Sequence, residues 1–575
     1  MKNKTQITVL KFGSSVLRSE KDLPSAVHEI YRHWRDGAQV IAVVSAFGDT
    51  TDQLMRRAES ICGQPEKSAL ASLLATGEAT SSALLSIALD RVGIPARLLD
   101  EVQAGLRTVG GGVDAVPIAV DTARLDSESR RAVVVLPGFV GRSEGGDKTL
   151  LGRGGSDLTA LFLAHRLGAQ CVLIKDVEGL YTSDPAGSTV HPSRFVQASY
   201  DSAARLGGGV VQPKAVRFAA ANKVRFAITR IGAASATEVG PFADRLDSSG
   251  GSKEPLRVVL LGCGTVGGGV YQRLAALPTL FDVVGVGTRT GTHAREAGVP
   301  DHLNTDDLDE LLERDCDVVV ELIGTTKYAS ALATAALRSG RHFVTANKAL
   351  MAVDGEHLSS LAAACGVSLR YNAAVGGVLP ALEAIERARE SGAIKAFSGI
   401  LNGTTNYVLD QLTEGKDFES AIDAAQRAGY AEANPQLDLN GTDATQKLIL
   451  LARQAFDVSL PFGEIERTGI EHIDSQSLRK SRERAHVVRL VAECSRSVDE
   501  IKASVKPVEL PIDHPLAQVR GARNRLIIKP EVGEQLVLSG AGAGRWPTTE
   551  AVMADLFDIR RQESAEELER LEACA

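Results

Sequence analysis

A pair of charged residues in the second half of the chain could take part in reducing a carbonyl group. Asp443 and Lys447 are four residues apart, so on a helix they would share a face. Hydride delivery to a carbonyl carbon builds negative charge on the oxygen, and a nearby ammonium can stabilise that charge and donate the proton. Taken alone, this spacing is more typical of a surface ion pair, so the interpretation depends on the surrounding motifs.

A glycine-rich loop upstream of this pair could bind the cofactor that delivers the hydride. The strand-like run 256–261 leads directly into a G-x-G-x-x-G pattern. Its first glycine permits a tight turn, its second allows close approach of a pyrophosphate, and its third lets a helix pack on the strand. A merely Gly-rich turn is the alternative, but the flanking elements favour a dinucleotide loop made of Gly262, Gly264, Thr265, Val266 and Gly267.

The next strand-like run bears on the choice of nicotinamide cofactor. The run 281–289 lacks the acidic residue that usually binds the ribose 2′-hydroxyl, and Arg289 stands at its end. A guanidinium suits a 2′-phosphate, which favours NADP over NAD. A solvated surface arginine remains the alternative.

The elements that must position these residues alternate along the whole chain. Short β-branched runs such as 40–44, 171–174 and 318–322 are separated by helix-like segments such as 68–91. This alternation is typical of α/β domains with mostly parallel sheets. The polar, Gly/Ser-rich segment 247–255 between the halves predicts a linker.

Several motifs in the second half resemble homoserine dehydrogenase, in the order found in that family. They are VTANKAL (344–350), ILNGTTNYVL (400–409), GYAEANP (429–435), DLNGTDATQKL (438–448) and GAGAGRWPT (540–548). The resemblance implies that Lys447 is the general acid and that Lys348 is a second cation near cofactor and substrate. It also implies carboxylates for the substrate ammonium at Glu432, Asp438 and Asp443, and cofactor contacts at Thr325 and Gly544.

The segment YNAAVGGVLP (371–380) is similar to the monovalent-cation loop of the same family. The resemblance implies a sodium ion held by the backbone of Val375, Gly377 and Leu379 together with the side chain at position 372. Asn372 stands there in place of the usual acid, so the position keeps an oxygen but loses the charge.

The first half resembles aspartate kinase, of the amino-acid kinase fold, from about residue 7 to 229. The motifs are VLKFGSSV (9–16), ATGEATS (75–81), LLGRGGSDLT (150–159) and KDVEGLYTSDP (175–185). Phosphoryl transfer needs positioning and charge neutralisation. Lys11 and the backbone at Gly13 and 152–155 could contact phosphates, and Asp157 could organise the transferred group or its Mg²⁺. The remaining predicted contacts are Glu78, Arg153 and Ser15 for the substrate, and Asp176, Tyr181 and Asp184 for ATP.

Three departures from the aspartate kinase pattern leave two hypotheses open. The opening motif is one residue short, Gly209 replaces a basic residue usual late in the domain, and Lys175 replaces a small hydroxyl residue. Each could weaken ATP binding. The first hypothesis is therefore a bifunctional enzyme, and the second is a homoserine dehydrogenase fused to an inactive kinase-like module that binds a ligand or aids assembly.

The predicted division follows from these resemblances. We expect an amino-acid kinase domain (αβα sandwich) at 1–246, the linker at 247–255 and a Rossmann domain at 256–380. An α+β substrate and dimerisation domain should follow at 381–540, with a C-terminal return to the Rossmann domain at 541–575. The family's bifunctional members usually carry ACT regulatory domains between the halves. No room for one is seen there or after the last motif, so we expect no threonine or lysine feedback through such domains.

Composition limits the remaining classes. The 575 residues carry a net charge of −8 without a basic cluster, so we expect no nucleic-acid partner. We see neither a signal peptide nor an apolar run of about 20 residues, so no membrane association is expected. The seven cysteines form no C-x-x-C pair, which fits a reducing cytoplasm. The expected partners are small-molecule substrates and a second copy of the chain in a homodimer or higher oligomer.

Overall fold

The computed structural model describes residues 6–184, 192–247, 254–432, 434–497 and 500–574. Most of the predicted linker, at 248–253, lies outside the described residues. The chain divides into two compact units, Met1–Lys253 with Arg560–Ala575, and Glu254–Ile559. This division falls inside the segment 247–255, where the sequence predicts the linker.

The first unit contains a nine-stranded sheet and a four-stranded sheet. Its strands are β1 (Ile7–Phe12), β2 (Gln39–Val44), β3 (Ala96–Leu98), β4 (Arg107–Val109), β5 (Val116–Ala119), β6 (Val133–Pro137), β7 (Val140–Arg142), β8 (Lys148–Leu150), β9 (Gln170–Lys175), β10 (Phe195–Ser199), β11 (Phe226–Arg230), β12 (Thr237–Gly240) and β13 (Arg245–Leu246). Its helices are α1 (Leu23–Arg35), α2 (Thr50–Ile61), α3 (Lys67–Val92), α4 (Thr122–Ser129), α5 (Gly155–Leu167), α6 (Tyr200–Leu206) and α7 (Pro213–Ala221). The strand orders are β13-β10-β12-β11-β9-β1-β2-β6-β3 and β5-β4-β7-β8.

The centre of the large sheet is parallel and buried on both faces. Strand β1 lies between β2 and β9 and runs parallel to both. Val9 and Ile41 join a core with α5 and α7, whereas Leu10 and Ala42 are buried on the opposite face. Burial on both faces explains why these strands are continuously apolar rather than alternating. The carboxyl ends of β1 and β9 consequently meet at one edge of the sheet.

Helix α3 is long and apolar enough to cross a membrane by length and composition. In this structure it packs as a core helix of the first unit, with Ala71, Leu74, Leu85 and Leu89 buried. The carboxyl group of Glu78 is buried in the middle of the same helix.

The second unit contains two six-stranded sheets. Its strands are β14 (Leu256–Leu261), β15 (Phe281–Gly287), β16 (Asn304–Thr305), β17 (Val318–Glu321), β18 (His342–Thr345), β19 (Leu369–Arg370), β20 (Ile394–Ile400), β21 (Glu466–Arg467), β22 (His486–Arg496), β23 (Ile501–Pro511), β24 (Arg523–Pro530) and β25 (Leu536–Ala541). Its helices are α8 (Thr265–Ala275), α9 (Thr292–Ala297), α10 (Leu308–Leu311), α11 (Lys327–Arg338), α12 (Lys348–Cys365), α13 (Asn372–Gly376), α14 (Ala381–Ser391), α15 (Gly403–Thr413), α16 (Phe418–Arg427), α17 (Gln436–Leu439), α18 (Thr442–Phe456), α19 (Ser475–Glu483) and α20 (Arg545–Cys574).

The first of these sheets, β16-β15-β14-β17-β18-β19, is parallel throughout. Val258 and Leu260 of β14 pack into one core, and Val259 and Leu261 pack into another on the opposite face. This is the layered arrangement expected of a doubly wound α/β domain, in which ligands bind at the carboxyl ends of the strands. The second sheet, β21-β23-β22-β20-β24-β25, is mainly antiparallel and shares a core with α14, α15 and α18.

The closing helix α20 spans the boundary at Arg560, within the segment 541–575 for which the sequence predicts a return to the Rossmann domain. Its residues Ala551 to Ile559 pack into the core of the parallel sheet. From Arg560 onward, however, the chain groups with the first unit. The helix is continuous across this boundary, so no turn residue in the sequence marks it.

Candidate active sites

A buried carboxylate links two lysines in the second unit. On helix α18, Lys447 Nζ lies 2.9 Å from Asp443 Oδ2, as their four-residue spacing predicts. Lys348 Nζ, from the first residue of α12, lies 2.9 Å from Asp443 Oδ1. Burial alone would raise the pKa of Asp443, but the charges on Lys447 and Lys348 outweigh it and hold that pKa well below its usual range. The Asp443 carboxylate in turn raises the pKa of Lys348.

Two asparagines position this cluster. Asn402 caps helix α15 through Thr405 N, and its Nδ2 donates to Asp443 Oδ2 at 2.8 Å and to Asp438 Oδ1 at 2.6 Å. The carbonyl of Leu401 accepts from Lys447 Nζ at 2.8 Å and from Asn524 Nδ2 at 3.0 Å. Lys447 has three N–H donors, and the contacts among the described residues occupy two of them, so one donor is left over.

The other two predicted acids lie near the cluster in different surroundings. Burial and the charge of Asp443 raise the pKa of Asp438. Glu432 is exposed, and its charge contributes to the raised pKa of Lys348. The next residue along the chain, 433, lies outside the described residues.

The glycine loop has the geometry that a dinucleotide needs. Gly262 has a φ of +109°, and a Cβ there would lie 2.8 Å from the carbonyl of Leu322. A Cβ at Gly267, inside helix α8, would lie 2.1 Å from the carbonyl oxygen of Gly262. A Cβ at Gly264 would meet nothing within 4 Å, which leaves space for a ligand at the amino end of the helix that Thr265 and Val266 begin.

A buried glutamate organises the neighbouring loop. Glu321, at the carboxyl end of β17, accepts from Thr345 Oγ1 at 2.6 Å and from the amide of Ile323 at 2.8 Å. Burial raises its pKa. Asn347 donates to the Thr325 carbonyl at 2.9 Å and caps α12, so these contacts place exposed Thr325 and fix the start of the helix that carries Lys348.

The remaining predicted cofactor and cation residues occupy three places. Arg289 is exposed two residues beyond β15, and Gly544, with φ of +113°, immediately precedes α20. Asn372 Nδ2 donates to Asp555 Oδ1 at 2.6 Å, so a buried carboxylate lies beside Asn372. The three predicted backbone positions of the cation loop are buried, namely Val375, Gly377 and Leu379.

In the first unit, Lys11 and Lys175 converge on one carboxylate. Asp157, in the first turn of α5, has Oδ1 2.7 Å from Lys11 Nζ and Oδ2 2.9 Å from Lys175 Nζ. The three side chains are 5 to 7% exposed. Burial opposes ionisation of Asp157, but the two ammonium charges lower its pKa. Gly13 lies directly against this cluster, since a Cβ at Gly13 would lie 2.8 Å from Lys11 Nζ.

Glu78 is another buried carboxylate of this unit. Its Oε1 accepts from Ala46 N at 3.3 Å, while Oε2 has no hydrogen-bond partner among the described residues. Burial raises the pKa of Glu78 to about 7. The other predicted contacts lie in more open positions. Arg153, Ser15, Asp176 and Asp184 are exposed, and Tyr181 is half-buried with a raised pKa caused mainly by burial.

These sites define the class of the protein. A parallel sheet with a dinucleotide loop, joined to a domain in which two lysines contact one buried carboxylate, is the architecture of a nicotinamide-dependent oxidoreductase. Family profiles described as "Homoserine dehydrogenase" and "Homoserine dehydrogenase, NAD binding domain" match residues 380–557 and 262–372. A profile described as "Amino acid kinase family" matches residues 6–230. The chain belongs to the homoserine dehydrogenase family and carries an amino acid kinase domain before the dehydrogenase, which confirms the predicted fold class.

Individual relatives agree with this assignment. The chain is 35% identical to the homoserine dehydrogenase of Corynebacterium glutamicum, over 53% of this chain and 72% of that protein. It is 34% identical to that of Bacillus subtilis, over 53% and 73%. The crystal structure of a homoserine dehydrogenase from Thiobacillus denitrificans superposes with a TM-score of 0.51 at 33% identity, covering 54% of this chain and 74% of that one.

Four positioning contacts were not predicted from the sequence. They are made by Asn402, Asn524, Glu321 and, with Asp157, Lys175. Asn402 lies inside a motif that was recognised, so its place at the start of a helix is the signal that could have indicated a cap. Glu321 ends an apolar strand, where an acid is unusual. Nothing in the sequence around Asn524 indicates its contact with Leu401.

Proposed function

We propose that the chain catalyses two reactions of amino-acid biosynthesis. The second unit reduces L-aspartate 4-semialdehyde to L-homoserine with NAD(P)H, and the first unit transfers a phosphoryl group from ATP to L-aspartate. The observation that carries the first reaction is the pair of lysines on Asp443, with a donor of Lys447 left for the substrate.

In the reduction, the bound nicotinamide supplies the hydride. Lys447 donates a proton to the developing alkoxide, and Asp443 orients this lysine and raises the pKa of Lys348. Asp438 and Glu432 hold the substrate ammonium. The loop at Gly262–Gly267 binds the pyrophosphate, with Thr325 and Gly544 as further contacts. Exposed Arg289 favours NADP through its 2′-phosphate.

In the kinase reaction, the supporting observations are the buried charges of the first unit. Glu78 Oε2 is available to hold the ammonium of aspartate, and Arg153 would clamp a substrate carboxylate. Ser15 would be a further contact of aspartate, and ATP would lie near Lys11, Gly13 and the segment 176–184. Both oxygens of Asp157 contact lysines, so we assign it to organising these cations rather than to binding Mg²⁺ directly.

Two further elements complete the proposal. Sodium would be held by the carbonyls of Val375, Gly377 and Leu379 and the side-chain oxygen of Asn372, with Asp555 supplying the nearby negative charge. We also propose a cytoplasmic homodimer.

The second candidate function is a dehydrogenase fused to an inactive kinase-like module. It is favoured by Gly209, which lacks the basic side chain usual at that position of the aspartate kinase pattern.

The first experiment separates these two candidates. Purified protein is incubated with ATP, Mg²⁺, L-aspartate and hydroxylamine, and aspartyl hydroxamate is measured, with Arg153→Ala as the blank. The same samples are assayed for NADPH oxidation by aspartate semialdehyde. We expect aspartate-dependent hydroxamate that the variant lacks and reductase activity in both. Reductase activity without hydroxamate would contradict the kinase proposal and support the inactive module.

A further inference from the structure

The position of Lys175 is not explained by the aspartate kinase pattern, in which a small hydroxyl residue is usual. Lys175 is the last residue of β9, and its Nζ lies 2.9 Å from Oδ2 and 3.1 Å from Oδ1 of Asp157. Lys11 reaches the same carboxylate from β1 at 2.7 Å. The residue therefore lies among the phosphate-contacting groups proposed above rather than on the surface.

The cluster has an unbalanced charge. Two ammonium groups and one carboxylate sum to +1, and each side chain is no more than 7% exposed. Burying an uncompensated charge is costly, so such a cluster is stabilised when an anion approaches it. Burial, and then the charge of Lys11, lower the pKa of Lys175 to about 8, although Asp157 opposes this shift.

Among the described residues, Asp157 is the one carboxylate whose charge acts on the pKa of Lys175. Its neighbour on β11, Arg230, is itself cationic and is paired with Glu178 at 2.5 Å. Burial raises the pKa of the nearby Cys171 thiol well above its usual range, so this group remains neutral. The cluster also lies at the carboxyl ends of parallel strands and at the amino end of α5, where a phosphate is electrostatically favoured.

We propose that Lys175 binds the transferring phosphoryl group. Lys11 supplies one of the two positive charges that this transfer requires, and Lys175 supplies the second. The inference rests on the proposed kinase function. In the step, the bond between the γ-phosphorus and the bridging oxygen of ATP breaks, ADP leaves with the electron pair, and a new bond forms from a carboxylate oxygen of aspartate. No proton is transferred in this step, because the part of both lysines is to neutralise charge on the phosphoryl oxygens.

The test compares three variants of the full chain. Lys175→Thr restores the hydroxyl residue, Lys175→Thr with Gly209→Lys moves the charge to the position where the pattern has a basic residue, and Lys21→Met is the matched control on an exposed lysine. A Cβ at Gly209 would meet nothing within 4 Å, so the new side chain has room. The melting temperature reports whether each variant is folded, and reductase activity is an internal control from the second unit.

We expect Lys175→Thr to lower the kcat of hydroxamate formation by about 10²-fold and to weaken binding of the Mg²⁺ complex of AMPPNP by about tenfold. The double variant should recover at least part of both losses, and Lys21→Met should match the parent. A kcat and an AMPPNP affinity within about threefold of the parent in a folded Lys175→Thr variant would overturn the inference.

The kinase proposal and this inference fail differently. If the parent protein forms no hydroxamate, the kinase proposal fails, and Lys175 is then judged by AMPPNP binding alone. Affinity lost in Lys175→Thr and regained with Gly209→Lys would support its phosphate role even in an inactive module. No detectable binding by the parent, or equal binding by parent and variant, would overturn it.

Discussion

At the scale of single residues, Lys447 is distinguished from Lys348 by its surroundings. Lys447 is buried, while the Lys348 side chain is 40% exposed. A proton donor that is fixed by Asp443 and the Leu401 carbonyl needs no reorganisation when charge develops on the substrate. This geometry supports assigning proton transfer to Lys447 and charge stabilisation to Lys348.

The corresponding prediction concerns Lys447→Met. We expect kcat for semialdehyde reduction to fall by roughly 10²- to 10⁴-fold, the usual contribution of a general acid, with the KM for NADPH unchanged. Asp443 keeps Lys348 and Asn402 as partners, so the fold should survive. Exposed Lys395→Met is the control. Steady-state kinetics test this prediction. If the variant retains more than about a tenth of the parent kcat, Lys447 is not the general acid.

A second prediction at this scale concerns the pH dependence of aspartate binding. Burial raises the pKa of Glu78 to about 7, and only its charged form attracts the substrate ammonium. As pH falls through 7 the carboxylate takes up a proton, so KM for aspartate should rise, by about tenfold per pH unit in the acid limb. Glu78→Gln should show a high KM that is flat from about pH 6 to 8. A flat profile in the parent would show that Glu78 does not hold the ammonium.

At the scale of elements, two glycines of the dinucleotide loop have different roles. Gly267 is needed for the fold, and Gly264 is needed for cofactor binding. Gly267→Ala places a Cβ 2.1 Å from the Gly262 carbonyl, whereas Gly264→Ala places one in open space. We expect Gly267→Ala to lower the melting temperature, and Gly264→Ala to keep it while raising KM for NADPH at least about tenfold, because the methyl group occupies the pyrophosphate space. Thermal melts and kinetics on both variants test this, and unchanged NADPH binding in Gly264→Ala would argue against it.

Helix α15 offers a further test, since its cap also holds the active site. Asn402→Ala removes the cap, at about 1 kcal/mol in the free energy of unfolding, and removes the amide between Asp438 and Asp443. Asn402→Ser keeps a good cap but is too short to bridge both carboxylates. We therefore expect both variants to lose reductase activity and only the alanine variant to lose stability. Full reductase activity in Asn402→Ser would show that Asn402 serves only as a helix cap and that its bridge between Asp438 and Asp443 is not needed for the reaction.

These elements also show what the sequence could and could not predict. The Gly262 turn and the Asp443–Lys447 pair depend on residues within a few positions of each other, so periodicity and spacing predict them. The contacts of Asn402 with Asp443 and of Asn524 with Leu401 join residues 41 and 123 positions apart. Only the packing of strands and helices brings such residues together, so local patterns carry no signal for them. The charge cluster of Lys11, Asp157 and Lys175 is of the same kind.

At the scale of the whole molecule, helix α20 belongs to both units. Its part up to Ile559 fills the core of the parallel sheet, and its part from Arg560 groups with the first unit, where the Arg560 side chain is 7% exposed. Burial lowers the pKa of Arg560, with the charges of Arg230 and Glu178 as further influences. Glu178 lies within the segment proposed to bind ATP and is paired with Arg230, so the end of the chain supports the first unit.

Deleting residues 560–575 should therefore affect the unit that lies first in the sequence. We expect reductase kcat/KM within about twofold of the parent, and an unfolding transition of the first unit lowered by several degrees, since about 1 kcal/mol corresponds to 2–4 °C at this size. Calorimetry with added NADPH identifies the second unit's transition, and the Mg²⁺ complex of AMPPNP identifies the first, because each ligand raises only the transition of the unit that binds it. A truncated chain that loses reductase activity while its first-unit transition stays unchanged would assign the end of α20 to the dehydrogenase instead.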